Sequence, residues 1–210
     1  DLLTRKYSDW CFPMMGLHPC YVKEDFKEQL ELVRKSLVDN RTVMKAVGEI
    51  GLDFHWDLSF KQQQEEAFLM QLDWAHEFGL PISIHARKST EEIIALIKRF
   101  GVGKITGVFH CFSGSVEQAH QVIKMGFKLG IGGVVTFPKS TMAEVVHVMP
   151  LDTLLLETDG PYLAPVPFRG KRNEPSYLKL IAEKVAAIKN VAIEEIAEIT
   201  SANATTLFGL

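Results

Sequence analysis

Four apolar, strand-like runs carry a residue of metal-ligand type at or near their C-terminal ends. They are Glu49 in residues 45–53, His85 in 81–87, His110 in 105–112 and Asp159 in 154–162. Packing does not call for a histidine or a carboxylate at a strand tip, and a buried polar group costs free energy unless it is paired. Singly, each has a plain reading. Glu49 fits a strand-end ion pair, His85 and His110 fit core histidines bonded to backbone, and Asp159 fits a turn residue before Gly160-Pro161. Together the plain readings need four coincidences. Imidazoles and carboxylates at equivalent strand ends instead suit a hydrolytic metal site.

The elements that must position these residues follow a repeating pattern. The runs 12–18, 45–53, 81–87, 105–112, 128–136 and 154–162 are rich in Val, Ile, Leu and Met with little alternation, as in parallel strands buried on both faces. Helical signals fall between them. Residues 24–39 carry one apolar stripe of Phe26, Leu30, Val33 and Leu37. The capping boxes Ser59-x-x-Gln62, Ser89-x-x-Glu92 and Ser115-x-x-Gln118 open helices that Gly79, Gly101 and Gly126 stop. A shorter helix over 141–149 ends at Pro150. From Ser176 onward the chain reads as helical, with Leu178, Ile181, Val185 and Ile188 on one face, and residues 1–9 read as the tail of a helix. Alternating strands and helices predict an α/β protein. No G-x-G-x-x-G or P-loop supports an open doubly wound sheet. Ligands at four strand tips favour a TIM-type (β/α)8 barrel, whose tips surround one mouth. Only about six βα units are present, so the expectation is a single barrel domain over residues 1–210 whose first two units precede this sequence.

The 210 residues are enough for one sizeable core, with 47% hydrophobic and 23% charged residues, as in a soluble globular protein. There is no membrane-spanning run and no obligate protein partner is evident. Cys11, Cys20 and Cys111 form no C-x-x-C pair, which suits reduced thiols in a cytoplasmic setting. A formal charge of −3 argues against a protein that coats duplex nucleic acid through a broad basic face. It leaves room for an enzyme that grips a few phosphates.

The segments GLHP (16–19), GEIGLD (48–53), HAR (85–87), HCFSG (110–114), ETDGPYL (157–163) and RGKRNEP (169–175) occur in that order. Together they closely resemble the TatD family of metal-dependent deoxyribonucleases, within the amidohydrolase-like barrels. The resemblance runs from about Met14 to the C-terminus. It implies a TIM barrel with two divalent metal ions (Mg, Mn or Zn) that hydrolyses phosphodiester bonds of DNA, at single strands or ends. It implies that Glu49 bridges the metals, that His85 and His110 serve one of them, and that Asp159 serves the other, close to the attacking water. The family's first strand carries a His-x-His pair that this chain lacks. The pair is expected in the preceding units, so the chain as given should bind about one metal and show little nuclease activity. Two rivals remain: a hydrolase of the same fold acting on an ester or amide such as aminoacyl-tRNA, and a non-catalytic scaffold.

His18, before Pro19, is either a substrate contact, as the family suggests, or a turn histidine. Arg87 either reaches a phosphate or orients a ligand carboxylate. Arg169, Lys171, Arg172 and Asn173 form a basic loop after the last strand, where TIM barrels often bind phosphate. Ser113 and Gly114, before a helix start, offer backbone N–H groups to a phosphate. Cys111 reads as a small buried filler. Tyr162 and Phe112 could stack a terminal base, although core packing is the expectation for both. Trp10, Trp56 and Trp74 carry no functional signal.

Overall fold

The computed structural model describes residues 2–55 and 57–210; Trp56, to which the sequence assigns no role, lies outside them. The chain divides into two compact units, Asp1–Gly107 and Val108–Leu210. In the first, α1 (Leu2–Lys6) is followed by β1 (Met14–Met15), α2 (Phe26–Asp39), β2 (Ala46–Asp53), α3 (Lys61–Phe78), β3 (Ile82–Arg87) and α4 (Thr90–Phe100). The strands β1, β2 and β3 pair in parallel in chain order. Consecutive residues are buried in both longer strands, Ala46 and Val47 in β2 and Ile82 and Ser83 in β3, as a strand covered on both faces requires. The expected stripe of α2 is its buried face: Phe26, Leu30, Val33 and Leu37.

Several boundaries differ from the sequence expectation. Run 12–18 contributes only two strand residues, and β1 ends at Met15, before the chain reaches His18. Ser59 makes no capping box. Its N–H is held by Asp57 Oδ1 at 2.8 Å, and α3 starts two residues later. Ser89 stands at the N-cap of α4, but its hydroxyl donates to the Leu52 carbonyl at 2.6 Å, tying the helix start to the end of β2.

The second unit opens on β4 (Gly107–Phe109), then α5 (Val116–Lys124), β5 (Lys128–Ile131), α6 (Met142–Val148), β6 (Leu154–Leu156), α7 (Leu178–Lys189) and α8 (Ile193–Phe208). β4, β5 and β6 are again parallel in chain order. Here the capping box forms as expected: Ser115 Oγ accepts from the Gln118 N–H, and the Gln118 side chain accepts from the Ser115 N–H. Run 128–136 breaks after Ile131 into a 3₁₀ turn at Gly133–Thr136. The buried face of α7 is Ile181, Ala182, Val185 and Ala186. Leu178, expected on it, is 38% exposed at the helix start. α8 lies against β6, where the Asn203 amide donates to the carbonyls of Leu151 and Leu154 at 2.9 and 2.8 Å. No helix among the described residues is long and apolar enough to cross a membrane.

Candidate metal centre

Each unit carries one imidazole held between two carboxylates. In the first unit His85 Nδ1 lies 3.1 Å from Glu49 Oε1, and its Nε2 lies 2.9 Å from Asp53 Oδ2. In the second unit His110 Nδ1 lies 3.0 Å from Glu157 Oε1, and its Nε2 lies 3.5 Å from Asp159 Oδ1.

The backbone explains these positions. Glu49 is not at the strand tip, as the sequence suggested, but in the middle of β2. Between Val47 and Ile50 the register against β3 slips, because Val47 faces Ile82 while Ile50 faces Ile84. Two residues, Gly48 and Glu49, thus oppose one, which is a β-bulge, a device that re-aims a side chain. The true tip of β2 is Asp53, which is 3% exposed and which the sequence reading passed over. His110 directly follows β4, and Glu157 and Asp159 follow β6 by one and three residues.

Two glutamines seven residues apart on α3 fix the first cluster. Gln64 accepts from the Asp53 N–H at 2.9 Å and donates to its carbonyl at 3.3 Å. Gln71 does the same for Leu17, the residue before His18, at 2.6 and 3.3 Å. Both are buried, and both satisfy backbone groups that a chain leaving a sheet would otherwise orphan. The i, i+7 spacing on one helix face was a readable signal for them.

The electrostatics call for a cation. Burial alone would raise the Asp53 carboxyl, but the His55 N–H, the His85 ring and the Cys20 thiol together hold it below the ordinary carboxylate range. Burial alone would lower His85, but the Glu49 and Asp53 carboxylates outweigh it and lift the ring above its ordinary value. A neutral imidazole has one N–H, so it can satisfy only one of two flanking carboxylates. The other contact sets a lone pair against an anion, and either a proton or a metal must fill it. Asp53 is the more buried partner and also accepts from the His55 N–H at 2.9 Å, so it takes the His85 Nε2–H and leaves Nδ1 facing Glu49. Glu157 accepts the Cys111 N–H at 2.6 Å, so by the same reasoning it takes the His110 Nδ1–H and leaves Nε2 facing Asp159. A carboxylate behind the ring that fixes the tautomer is the usual support of a metal-ligating histidine. The donor set therefore fits a divalent metal.

His18, Glu49 and His85 have potential ligand atoms all within 4.8 Å of one another. His18 fits the ligand role poorly. Its Nδ1 accepts the Cys20 N–H at 3.2 Å, so the neutral ring keeps its proton on Nε2, which faces Glu49 Oε1 at 3.8 Å. This hydrogen-bond network makes His18 a donor directed at the cluster. Cys20 is exposed, and burial of its sulfur, followed by the nearby Asp53 charge, pushes its thiol up to about 11. It is therefore a protonated donor to Asp53 at 3.5 Å, not a thiolate.

The remaining candidates separate. Arg87 is exposed at the end of β3, and its charge acts on the Cys20 thiol. Ser113 is exposed in the turn before α5. Arg169 and Arg172 are exposed, with the Arg169 guanidinium over the Phe137 ring at 4.5 Å. Asn173, expected to hold substrate, is 2% exposed. Its amide is committed to the Tyr162 carbonyl at 2.6 Å and the Glu174 N–H at 2.9 Å, so it braces the loop instead. Phe112 is core, at 4% exposure, as expected, whereas Tyr162, expected in the core, is 68% exposed.

Known proteins bear on this geometry. The family described as "TatD related DNase" matches residues 2–209. An uncharacterized metal-dependent hydrolase of Bacillus subtilis, YabD, is 45% identical over 201 residues, covering 95% of this chain and 78% of the relative. A protein of Erwinia amylovora named 3′-5′ ssDNA/RNA exonuclease TatD is 35% identical, covering 99% and 82%. The crystal structure of YJJV, a TatD homologue from Escherichia coli, superposes with a TM-score of 0.90 at 30% identity, covering 98% of this chain and 80% of that one. The fold class is thus the TatD-like TIM barrel expected from the sequence. The chain belongs to the TatD family of metal-dependent hydrolases.

Proposed function

We propose that the protein hydrolyses phosphodiester bonds of single-stranded DNA, working from an end. The observation that carries this reading is the pair of carboxylate–imidazole–carboxylate clusters, with exposed Arg169 and Arg172 on the loop that follows Asp159. The relative from Erwinia amylovora, named for 3′-5′ action on single-stranded DNA and RNA, supports both the substrate and the polarity.

Glu49, His85, His110 and Asp159 would hold the divalent metal ions. A metal bound there polarises a phosphoryl oxygen and brings the pKa of water down toward about 7. The chain's own residues supply the rest. Asp53 and Glu157 hold the two rings in the tautomers that leave Nδ1 of His85 and Nε2 of His110 open. His18 donates from Nε2 to an oxygen of the reacting phosphate. Asp159 accepts the proton of the attacking water. Arg169 and Arg172 bind phosphates of the strand, for which a planar fork of N–H donors is suited. Arg87, the last residue of β3, supplies a further cation for a phosphate, and Ser113 offers its N–H and hydroxyl before α5.

The test is digestion by the full-length protein of 5′- and 3′-labelled single strands and matched duplexes with Mg²⁺, Mn²⁺ or Zn²⁺, beside aminoacyl-ester and amide substrates. The expected result is stepwise shortening of the single strand from its 3′ end, lost in Glu49→Gln. Ester or amide turnover without cleavage of any oligonucleotide would assign the site to another bond. No turnover of any substrate with any metal would favour the scaffold.

A further inference from the structure

Residues 159–173 of the second unit form a stitched loop. The Tyr162 N–H donates to the Asp159 carbonyl at 2.6 Å, closing a turn over Gly160 and Pro161. The buried Asn173 clamps the same turn twice, with its N–H on the Pro161 carbonyl at 3.0 Å and its amide on the Tyr162 carbonyl at 2.6 Å. Leu163 sits at a φ of 51°, a left-handed conformation that a leucine adopts only when its surroundings impose it. The chain thus holds a short shelf in one conformation.

The aromatic side chains around this loop are satisfied, with one exception. Phe168 stacks on Tyr177, with ring centroids 4.4 Å apart and planes 4° from parallel. Phe137 lies under the Arg169 guanidinium. Tyr162 has no ring or cationic partner among the described residues and is 68% exposed, beside the less exposed Leu163 at 42%. A large ring left bare on a loosely held loop is ordinary surface. One whose backbone is held by three hydrogen bonds stands on a preformed turn, so binding to it costs less ordering entropy than binding to a mobile loop.

We propose that Tyr162 is the stacking platform for a nucleobase of the substrate strand, within about one nucleotide of the scissile bond. This rests on the nucleic-acid reading above. Asp159 and Tyr162 are the first and last residues of one turn, so their Cα atoms lie within about 7 Å. The exposed Arg169 and Arg172 on the same loop suit the charged backbone of the same strand. A base–aromatic stack tolerates any base, because every base has a π-face. Tyr162 therefore raises affinity near the cut without imposing sequence preference.

The test uses the metal-loaded protein and oligothymidylates carrying one abasic residue, walked through the three 3′-terminal positions. Wild type, Tyr162→Ala and Tyr162→Trp are compared by kcat/KM. On the intact strand Tyr162→Ala should lose roughly 5- to 150-fold, the range of one base stack, while Tyr162→Trp should stay near wild type. At one abasic position wild type and Tyr162→Ala should become equal, because the base that the ring holds is gone. An equal loss on intact and on every abasic strand, or no loss at all, would overturn the platform while leaving the nuclease reading intact. A wild-type protein that neither binds nor cleaves any oligonucleotide would overturn both. Matching thermal melts of the variants exclude a folding defect, which an exposed ring is not expected to cause.

Discussion

Replacing Asp53 by Asn keeps the shape of the β2 tip and changes one hydrogen-bonding sense. In the wild type Oδ1 accepts the His55 N–H at 2.9 Å, and Oδ2 faces His85 Nε2 at 2.9 Å and the Cys20 thiol at 3.5 Å. An asparagine amide can lie two ways there. With NH₂ toward His55, two donors meet in a buried position, at a cost of about 1–3 kcal/mol. The other way wins: the amide oxygen stays on His55 and NH₂ donates to His85 Nε2. The ring then carries its proton on Nδ1, toward Glu49 at 3.1 Å. That proton occupies the direction in which a metal would bind.

Removing such an outer carboxylate typically weakens metal binding by about 10- to 100-fold, or about 1.4–2.8 kcal/mol. Asp53→Asn should therefore bind Mn²⁺ or Zn²⁺ about 10- to 100-fold more weakly in a calorimetric titration, with the fold retained. At alkaline pH, above the raised pKa of His85, where the ring is neutral, histidine ¹⁵N shifts of the metal-free protein should report a switch from the Nε2–H to the Nδ1–H tautomer. Wild-type metal affinity in Asp53→Asn, alongside complete loss in His85→Ala, would refute the reasoning, because the ring would then need no orienting carboxylate.

Three further outcomes follow from the packing. Gly130 has no side chain because Glu157 occupies that space: a Cβ there would meet Glu157 Oε2 at 2.3 Å, so Gly130→Ala should displace Glu157 and weaken metal binding to a similar extent as Glu157→Gln, again by titration. Gly51, at a φ of 146°, faces the His85 backbone so closely that a Cβ would come within 2.0 Å of its carbonyl oxygen. Gly51→Ala should cost at least about 1–3 kcal/mol, read as a lowered denaturant midpoint, since β2 must part from β3. Ser115→Ala should cost about 1 kcal/mol because it removes a formed cap, whereas Ser59→Ala should stay within about 0.5 kcal/mol because its side chain caps nothing.

The cluster residues and the order of strands and helices were legible because they rest on local pattern. Glu49, His85, His110 and Asp159 stood out as polar residues within apolar runs, and the structure sets each of them in a carboxylate–imidazole cluster. What the sequence hid depends on partners distant in the chain. Asp53 and Glu157 drew no reading of their own, because only the fold brings His85 and His110 against them from 32 and 47 positions away. The bulge at Gly48 and Glu49 is invisible in a pattern of period two, since an extra residue changes register without changing composition. Ser59 and Ser115 carry the same capping signature, and the difference lies in Asp57, whose carboxylate competes for the Ser59 N–H. Asn173 and Tyr162 exchanged their expected roles for one reason. The amide can satisfy the buried turn and the ring cannot, so the loop places the polar side chain inside and leaves the aromatic one outside, three residues after Asp159.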